Sequence, residues 1–271
     1  MIGRRTLIAG LLFASAARAQ TTDLRTLACR AAAWLAPLHA MYLRRNGDIV
    51  ERGHKLNKLI RESPSQNGSL RATAWLDLST EPMFLTLPRM NDTPYSAVLL
   101  DPFQRTVAEM RGPAPRPWIV GGPGWNGVAE SGVDAIRAPC RSVWLRYVLD
   151  DATDAARALF LETPDEHNQR RILEVQELMR SRPSGPPEAV ADWPAPRPAD
   201  PFDLFETALA MLGECVLDTD DKRMLEELAP LRLRPGRHFD ARAFSPAERD
   251  AIVGGIADAA PEIAAAKALL N

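Results

Sequence analysis

Three aspartates, Asp77, Asp92 and Asp101, lie beside predicted strand ends, where carboxylates could act on a bound molecule. Two carboxylates across a sheet can work as an acid and a base when burial raises the pKa of one of them. The alternative, which we favour, is that these acids cap turns or pair with a neighbouring arginine. The arginines within reach along the chain are Arg89, Arg105 and Arg141.

Trp125 lies in a glycine-rich loop, Gly122–Gly127, next to Asn126. Glycine lets a backbone approach a ligand closely, and an indole ring can stack on that ligand. The favoured alternative is that Trp125 folds back and plugs its own tight turn. The candidate ligand-binding residues are Asp77, Tyr95, Asp101, Trp125 and Asn126.

Two other tryptophans, Trp75 and Trp144, alternate with apolar residues on predicted strands. Tryptophan has a large apolar body and one N–H group that needs a partner when it is buried. Packing is therefore the favoured interpretation of both residues. The arginine-rich run 231–238 could bind an anion, although a solvated surface is the commoner role of such a run.

Other reaction types find little support in the sequence. It contains no G-x-S-x-G motif, and the glycine loop is not followed by the Lys-Ser/Thr pair of a phosphate-binding loop. The four histidines are scattered, so we expect no metal site and no cofactor. The three cysteines, Cys29, Cys140 and Cys215, are interpreted as small buried apolar residues, with a Cys140–Cys215 bridge left open.

The composition is that of a folded protein. The chain has 271 residues, of which 46% are hydrophobic, and a formal net charge of −2. These values exclude a disordered segment and a disulfide-stapled miniprotein, and no basic field would draw the chain onto nucleic acid.

Residues 1–19 are predicted to be a cleavable signal peptide. Arg4 and Arg5 precede an apolar run over residues 6–16, and Ala17-Arg18-Ala19 offers small residues to a signal peptidase. Removal of this segment changes the formal net charge to −5, and no later segment has the length and apolarity of a membrane span. We therefore expect a periplasmic or secreted protein exported by either the Tat or the Sec route.

Hydrophobic periodicity predicts three parts of the exported chain. Residues 20–70 contain a helix over 23–45, which Pro37 is expected to kink or split, and then a loop. Residues 71–162 hold short strands joined by turns, which favours antiparallel pairing. Residues 163–271 are helical, with a capping box at residues 163–166, another at 245–248, and a proline-rich arm at 182–201 that we expect to pack along its own domain.

Three phrases within the strand-rich part resemble the DUF1254 family of exported bacterial proteins. They are Trp75–Pro82, Gly122–Gly127 and Ala138–Trp144, in that order. The resemblance is specific over roughly residues 70–160 and implies a mixed α and β fold and an envelope location. It implies no reaction, because the function of the family is unknown.

The chain departs from that family in two ways. The family's Asn-x-Asp-Thr-x-Tyr phrase falls on residues 66–71, where Gly68 replaces the acid and Arg71 replaces the phenol. Many relatives also continue into a β-rich DUF1214 domain, whereas this sequence stops at Asn271. We therefore expect a stand-alone, partly degenerate member.

These observations predict an α+β fold, with a central antiparallel β-sheet or small β-sandwich between an N-terminal helix and a C-terminal helical region. The favoured function is a non-catalytic binding or accessory module for a small-molecule or envelope ligand. The alternative is a metal-independent enzyme acting on a small or envelope-derived molecule near Asp77, Asp101 and Trp125. A third hypothesis is a partnership with a separately encoded DUF1214-like protein.

Overall fold

The structure is a computed structural model that describes residues 4–62, 70–85, 96–111, 117–129, 131–149 and 194–270. The chain divides into two units. The first, here called the helical unit, comprises residues 1–43, 194–213 and 217–271, and the second, the sheet unit, comprises residues 44–193 and 214–216.

The first helix, α1, spans Arg4–Asn46 and confirms the helix predicted over residues 23–45. Its apolar residues recur every three or four positions, so they form one buried stripe. Pro37 does not split the helix, which continues to Asn46 before a wider, π-type turn over Gly47–Glu51. The stripe is Leu24, Ala28, Ala31, Leu35, Leu38 and Tyr42.

Four shorter helices complete the described part of the helical unit: α2 (Asp203–Leu212), α3 (Thr219–Glu227), α4 (Pro246–Asp258) and α5 (Ala260–Ala268). The predicted capping box is present at the start of α4, where Ser245 and Glu248 each accept the other's backbone N–H. Helix α2 ends at Leu212. The backbone turns there because Gly213 lies against Gly236, where an added Cβ would come 2.4 Å from the Gly236 Cα.

Gly255 is a packing position in α4. A Cβ at Gly255 would lie 2.2 Å from the Arg25 carbonyl oxygen and 2.7 Å from the Ala28 Cβ, both on α1. The structure shows a continuous helix in which Gly255 permits close contact with α1.

The sheet unit contains eight strands in its described part. They are β1 (Ile60–Arg61), β2 (Leu70–Asp77), β3 (Met83–Leu85), β4 (Ser96–Leu100), β5 (Thr106–Arg111), β6 (Trp118–Gly121), β7 (Asp134–Arg137) and β8 (Ser142–Leu149). Six of them were predicted, whereas β1 and β5 were not. Both edge strands escaped prediction, because β1 has two residues and β5 buries little beyond Met110.

Five strands form one sheet in the order β1-β2-β8-β4-β5, and every pairing in it is antiparallel. The long central strand β8 pairs with β2 over eight residue pairs, from Leu70–Leu149 to Asp77–Ser142. This register places Trp75 opposite Trp144. The expectation of antiparallel pairing is confirmed for this sheet.

Three strands form the second sheet, in the order β3-β6-β7. The β6–β7 pair is parallel, so the prediction of uniform antiparallel pairing was wrong here. Parallel neighbours need a crossover of about a dozen residues. The glycine loop and the segment after it, which together separate Gly121 from Asp134, provide that length.

One hydrophobic cluster joins buried side chains from both sheets. The predicted inward faces contribute to it, with Ala74, Leu76 and Leu78 on one side of β2 and Val143, Leu145 and Tyr147 on one side of β8. The second sheet adds Met83, Leu85, Trp118 and Val120. The presence of separate helices and largely antiparallel sheets makes this an α+β fold, as predicted.

The cysteines depart from their predicted role. Cys140 and Cys215 form a disulfide, and Cys29 is a half-buried free thiol. The two bonded cysteines are 75 residues apart in sequence, but backbone hydrogen bonds hold their segments side by side. Arg141 N donates to Glu214 O over 2.9 Å, and Val216 N donates to Pro139 O over 2.8 Å.

Several predictions fall outside the described residues. They include the end of the predicted strand-rich part after residue 149, the capping box at residues 163–166, and most of the proline-rich arm. Where the arm becomes described, the Tyr42 hydroxyl donates to the Pro194 carbonyl over 2.6 Å. None of the described helices combines the length and the apolar run that crossing a membrane requires.

Candidate functional site

Asp77 ends β2 and organises the turn that follows it. Its Oδ1 accepts hydrogen bonds from the Ser79 backbone N–H over 3.0 Å and from the Ser79 hydroxyl over 2.6 Å. Its own N–H donates to the Asn57 side-chain oxygen over 2.7 Å. Asp77 therefore has the turn-capping role that was favoured over acid–base chemistry.

Asp101 caps the turn of the hairpin between β4 and β5. Its side chain is buried, and Oδ1 accepts the Arg105 backbone N–H over 2.9 Å. Its backbone N–H donates to Arg105 O over 3.0 Å, and its carbonyl accepts the Gln104 N–H over 2.8 Å. Gln104 lies at a φ of 62°, so this carboxylate helps to hold a tight turn with strained backbone.

Trp125 folds back onto its own loop. Its backbone N–H donates to the Gly122 carbonyl oxygen over 3.0 Å, and its half-buried indole ring covers two glycines. A Cβ on Gly121 would come 2.2 Å from the ring, and one on Gly127 would come 2.5 Å from Nε1. The plug interpretation is therefore correct, and glycine is required at these positions because the indole occupies the space.

The remaining candidates add little to this end of the sheet. Asn126 is exposed, and Tyr95 lies outside the described residues. Strands β2 and β4 both run antiparallel to β8, so Asp77 and Asp101 lie at the same end of the sheet with β8 between them. Two strand spacings put their backbones roughly 10 Å apart.

A different group of side chains does come together, on the face of the large sheet opposite the hydrophobic cluster. We call it the tryptophan–arginine cluster. Its members are Arg44, Arg45, Asp48, Glu62, Trp75 and Trp144.

Asp48 is the centre of this cluster and is almost completely buried. Its carboxylate accepts the indole N–H of Trp75 over 3.0 Å and the Arg44 Nε–H over 2.9 Å. Arg52 pairs with its other oxygen over 2.7 Å. A buried carboxylate needs such donors because burial without them would cost several kcal/mol.

The two arginines lie against the two indole rings. The Arg44 guanidinium is 5.1 Å from the centre of the Trp144 ring, and that of Arg45 is 6.0 Å from the centre of the Trp75 ring. The rings stack on each other with centroids 6.1 Å apart. Such distances are typical of cation–π contacts, which gain strength when water is excluded.

Both arginines are also ion-paired. Arg44 binds Glu62 as well as Asp48, and the fully buried Arg45 binds Glu214 over 2.9 Å and the Ser142 hydroxyl over 3.0 Å. Burial lowers the pKa of Arg44, but the hydrogen bonds and charges of Asp48 and Glu62 outweigh burial and raise that pKa above its ordinary value. The Arg44 guanidinium is therefore a cation that the surrounding acids stabilise.

Sequence reasoning identified the tryptophans but not their partners. Alternation along β2 and β8 predicted a packing role for Trp75 and Trp144, and the structure places both rings on the face away from the hydrophobic cluster. The pairing of Arg44 with Asp48 at four-residue spacing was also visible in the sequence. The sequence could not show that the end of α1 covers that face of the sheet, because only the fold brings residue 48 to residue 75.

The helical unit has a buried histidine of its own. His39 is 7% exposed, and its Nδ1 lies 2.8 Å from the Thr207 hydroxyl oxygen. Burial, and after it the charge of Lys267, lowers the pKa of His39 to about 4. This histidine is neutral near pH 7, and the satisfied contact marks it as part of the core.

The arginine-rich run contributes a second polar contact in the helical unit. His238 pairs with Glu206, and the other oxygen of Glu206 accepts the Phe239 N–H over 2.8 Å. Among the residues that the structure describes, no group of three His, Cys, Asp or Glu side chains could hold a metal ion.

Comparison with known proteins bears on the family and the fold. A family model described as "Protein of unknown function (DUF1254)" matches residues 64–164, the part of the chain whose motifs resemble that family. No curated protein matches the chain.

A crystal structure of the VPA0106 protein from Vibrio parahaemolyticus is similar in fold. It has a TM-score of 0.65 and 18% sequence identity, and the alignment covers 88% of this chain. The chain spans 57% of the length of that protein. At this identity the likeness shows a shared fold.

Proposed function

We propose that this protein is exported and acts as a non-catalytic binding or accessory module. The observation that carries the proposal is that the side chains best placed for chemistry already serve their own turns. Asp77 and Asp101 accept local N–H and O–H donors, and the Trp125 ring is packed on glycine. A general base must instead be within reach of a proton on the substrate.

Export is supported by two independent features. The first is the signal-like segment 1–19, and the second is the Cys140–Cys215 disulfide. Structural disulfides persist in the periplasm and outside the cell, whereas the cytosol keeps thiols reduced. Together they support the proposal of a periplasmic or secreted location.

The enzyme alternative would use the same three residues at the sheet end. It needs Asp77 or Asp101 to exchange its present hydrogen bonds for a substrate. The buried Asp101 carboxylate stabilises the β4–β5 turn, so binding a substrate instead would remove the hydrogen bond that stabilises this turn. We therefore favour binding over catalysis.

Location is tested by expressing the full chain in a bacterium and separating periplasm from cytoplasm. We expect a processed protein in the periplasm with one free thiol after denaturation. A cytoplasmic, unprocessed protein with three free thiols would contradict export.

Function is tested by a thermal-shift screen of that purified protein against periplasmic metabolites and lipids, with mass spectrometry of each binding mixture. A ligand of the native state raises Tm by mass action. We expect compounds that raise Tm and remain chemically unchanged. Turnover that is lost in Asp77→Asn and Asp101→Asn, but retained in Glu109→Gln, would instead support the enzyme.

A further inference from the structure

Two N–H donors on β8 lack the hydrogen-bond acceptor that buried donors normally have. Trp144 is 1% exposed, and its Nε1 is buried with no hydrogen-bond partner among the described residues. The Nε atom of Arg146 is likewise buried without a hydrogen-bond partner among the described residues. Native proteins leave few buried donors unsatisfied, so such a pair suggests an acceptor that belongs to a bound molecule or to water.

The two donors lie on one face of the strand. Trp144 and Arg146 are two positions apart on β8, which gives their side chains the same direction. This is the face that bears the tryptophan–arginine cluster, because Trp144 is one of its members. Both donors therefore belong to one surface.

This surface has one positive charge that no acid among the described residues neutralises. Arg44 is paired with Asp48 and Glu62, and Arg45 is paired with Glu214. Arg146 makes no ion pair with any residue in the described ranges. A half-buried guanidinium without an anion is costly, so a single negative charge bound here would be stabilised.

The strand neighbours indicate what carries that charge. On the β4 side, Leu100 lies opposite Trp144 and Val98 lies opposite Arg146. Val98 and Arg146 are half-buried, which leaves an approach from that side. A ligand would therefore meet N–H donors and an arginine next to aliphatic side chains.

We propose that the Trp144–Arg146 face of β8 binds the carboxylate of a small apolar carboxylic acid. A carboxylate carries the one charge that is missing and accepts hydrogen bonds from both donors, and its hydrocarbon part packs on Val98 and Leu100. A phosphate would bring more charge than the one unpaired arginine balances. The inference rests on the proposed binding role and names the ligand class.

The experiment is a calorimetric titration of the purified, disulfide-bonded protein with hexanoate, and with hexanamide as the uncharged analogue. We expect saturable binding of hexanoate and affinity for hexanamide at least about tenfold lower. Arg146→Gln should weaken hexanoate binding at least about tenfold, because it removes the charge-assisted contact. Trp144→Phe should weaken binding about three- to tenfold, because it keeps an aromatic ring but removes the indole N–H.

Two variants serve as controls. Arg111→Gln removes an exposed arginine from β5 and should leave the affinity unchanged. Both Trp75→Phe and Trp144→Phe leave a smaller ring in a buried place, but only Trp75→Phe also removes an indole N–H that has a partner, so it should lower Tm without ligand more than Trp144→Phe does. This contrast in Tm verifies that the Trp144 donor is unsatisfied and that the variant folds.

The proposal would be overturned by any of three results: no saturable response to hexanoate up to about 10 mM, equal binding of hexanamide, or unchanged affinity in both β8 variants. A water molecule as the acceptor would give the first result. A library compound that binds equally well to Arg146→Gln would reject this site and retain the proposed function.

Discussion

Breaking the Cys140–Cys215 disulfide should destabilise the native protein chiefly by freeing the unfolded chain. The bond closes a loop with a sequence separation of 75 residues. The chain-entropy relation for a loop of that length gives about 4.5 kcal/mol at 25 °C, and native disulfides typically contribute about 2–5 kcal/mol. The backbone hydrogen bonds beside the bond remain after its loss, so the folded sheet should persist with a lower free energy of unfolding.

The assay is urea unfolding of the wild type and of the Cys140→Ala/Cys215→Ala double variant. Because the chain forms two units, tryptophan fluorescence and far-UV circular dichroism should both be followed, and coincident curves test for two-state behaviour. We expect the double variant to lose about 3–4.5 kcal/mol, with the loss in the transition that fluorescence of the sheet unit reports. Cys29→Ala is the matched control, since that thiol forms no disulfide.

The reasoning would be refuted by a loss below about 1 kcal/mol in the double variant. It would also fail if reductant destabilised the double variant as much as the wild type.

Three further predictions concern individual side chains. The pKa of His39 is lowered from 6.5 to about 4, so the unfolded state binds more protons than the native state between these two pH values. The free energy of unfolding should therefore fall by about 2 kcal/mol between about pH 7.5 and about pH 5. In urea unfolding at these two pH values, His39→Gln should lack this fall of about 2 kcal/mol. Trp75→Phe should lower the free energy of unfolding by about 2–3 kcal/mol, because the Asp48 carboxylate loses one of its hydrogen-bond donors. If Trp144→Phe lowered the free energy of unfolding by as much, the arrangement around Asp48 would be contradicted. Gly255→Ala should lower the free energy of unfolding by about 1–3 kcal/mol, because the new Cβ would collide with the α1 backbone. The matched control Gly254→Ala meets only the movable Arg25 side chain, so its stability in thermal denaturation should be close to that of the wild type.

Local patterns predicted those parts of the fold that depend on near neighbours. The alternation in β2 and β8 identified which side chains face the core, because successive residues of a strand point to opposite faces. The Ser245–Glu248 box marked the start of α4, because a cap satisfies N–H groups within its own turn. The turn-forming roles of Asp77, Asp101 and Trp125 were favoured for the same reason.

Long-range pairings were the features that local patterns missed. Edge strand β5 has little buried surface and so has a weak periodic signal. The parallel β6–β7 pair depends on the path that the chain takes after the glycine loop. The residues of a short strand do not indicate whether its neighbour runs parallel or antiparallel. The disulfide was one of several options until the fold placed residues 139–141 beside residues 214–216.

The sequence by itself determined the class of the protein, the core-facing residues of its strands, the beginnings of its helices and its likeness to the DUF1254 family. Each of these depends on residues within a few positions of one another or on a contiguous motif. Only the tertiary structure decided that Asp48 accepts the Trp75 N–H and that, within the described ranges, Trp144 and Arg146 each have a buried donor without an acceptor. A buried charge or donor acquires its partner from a distant segment, and the free energy of that pairing exists only once the chain has folded around it.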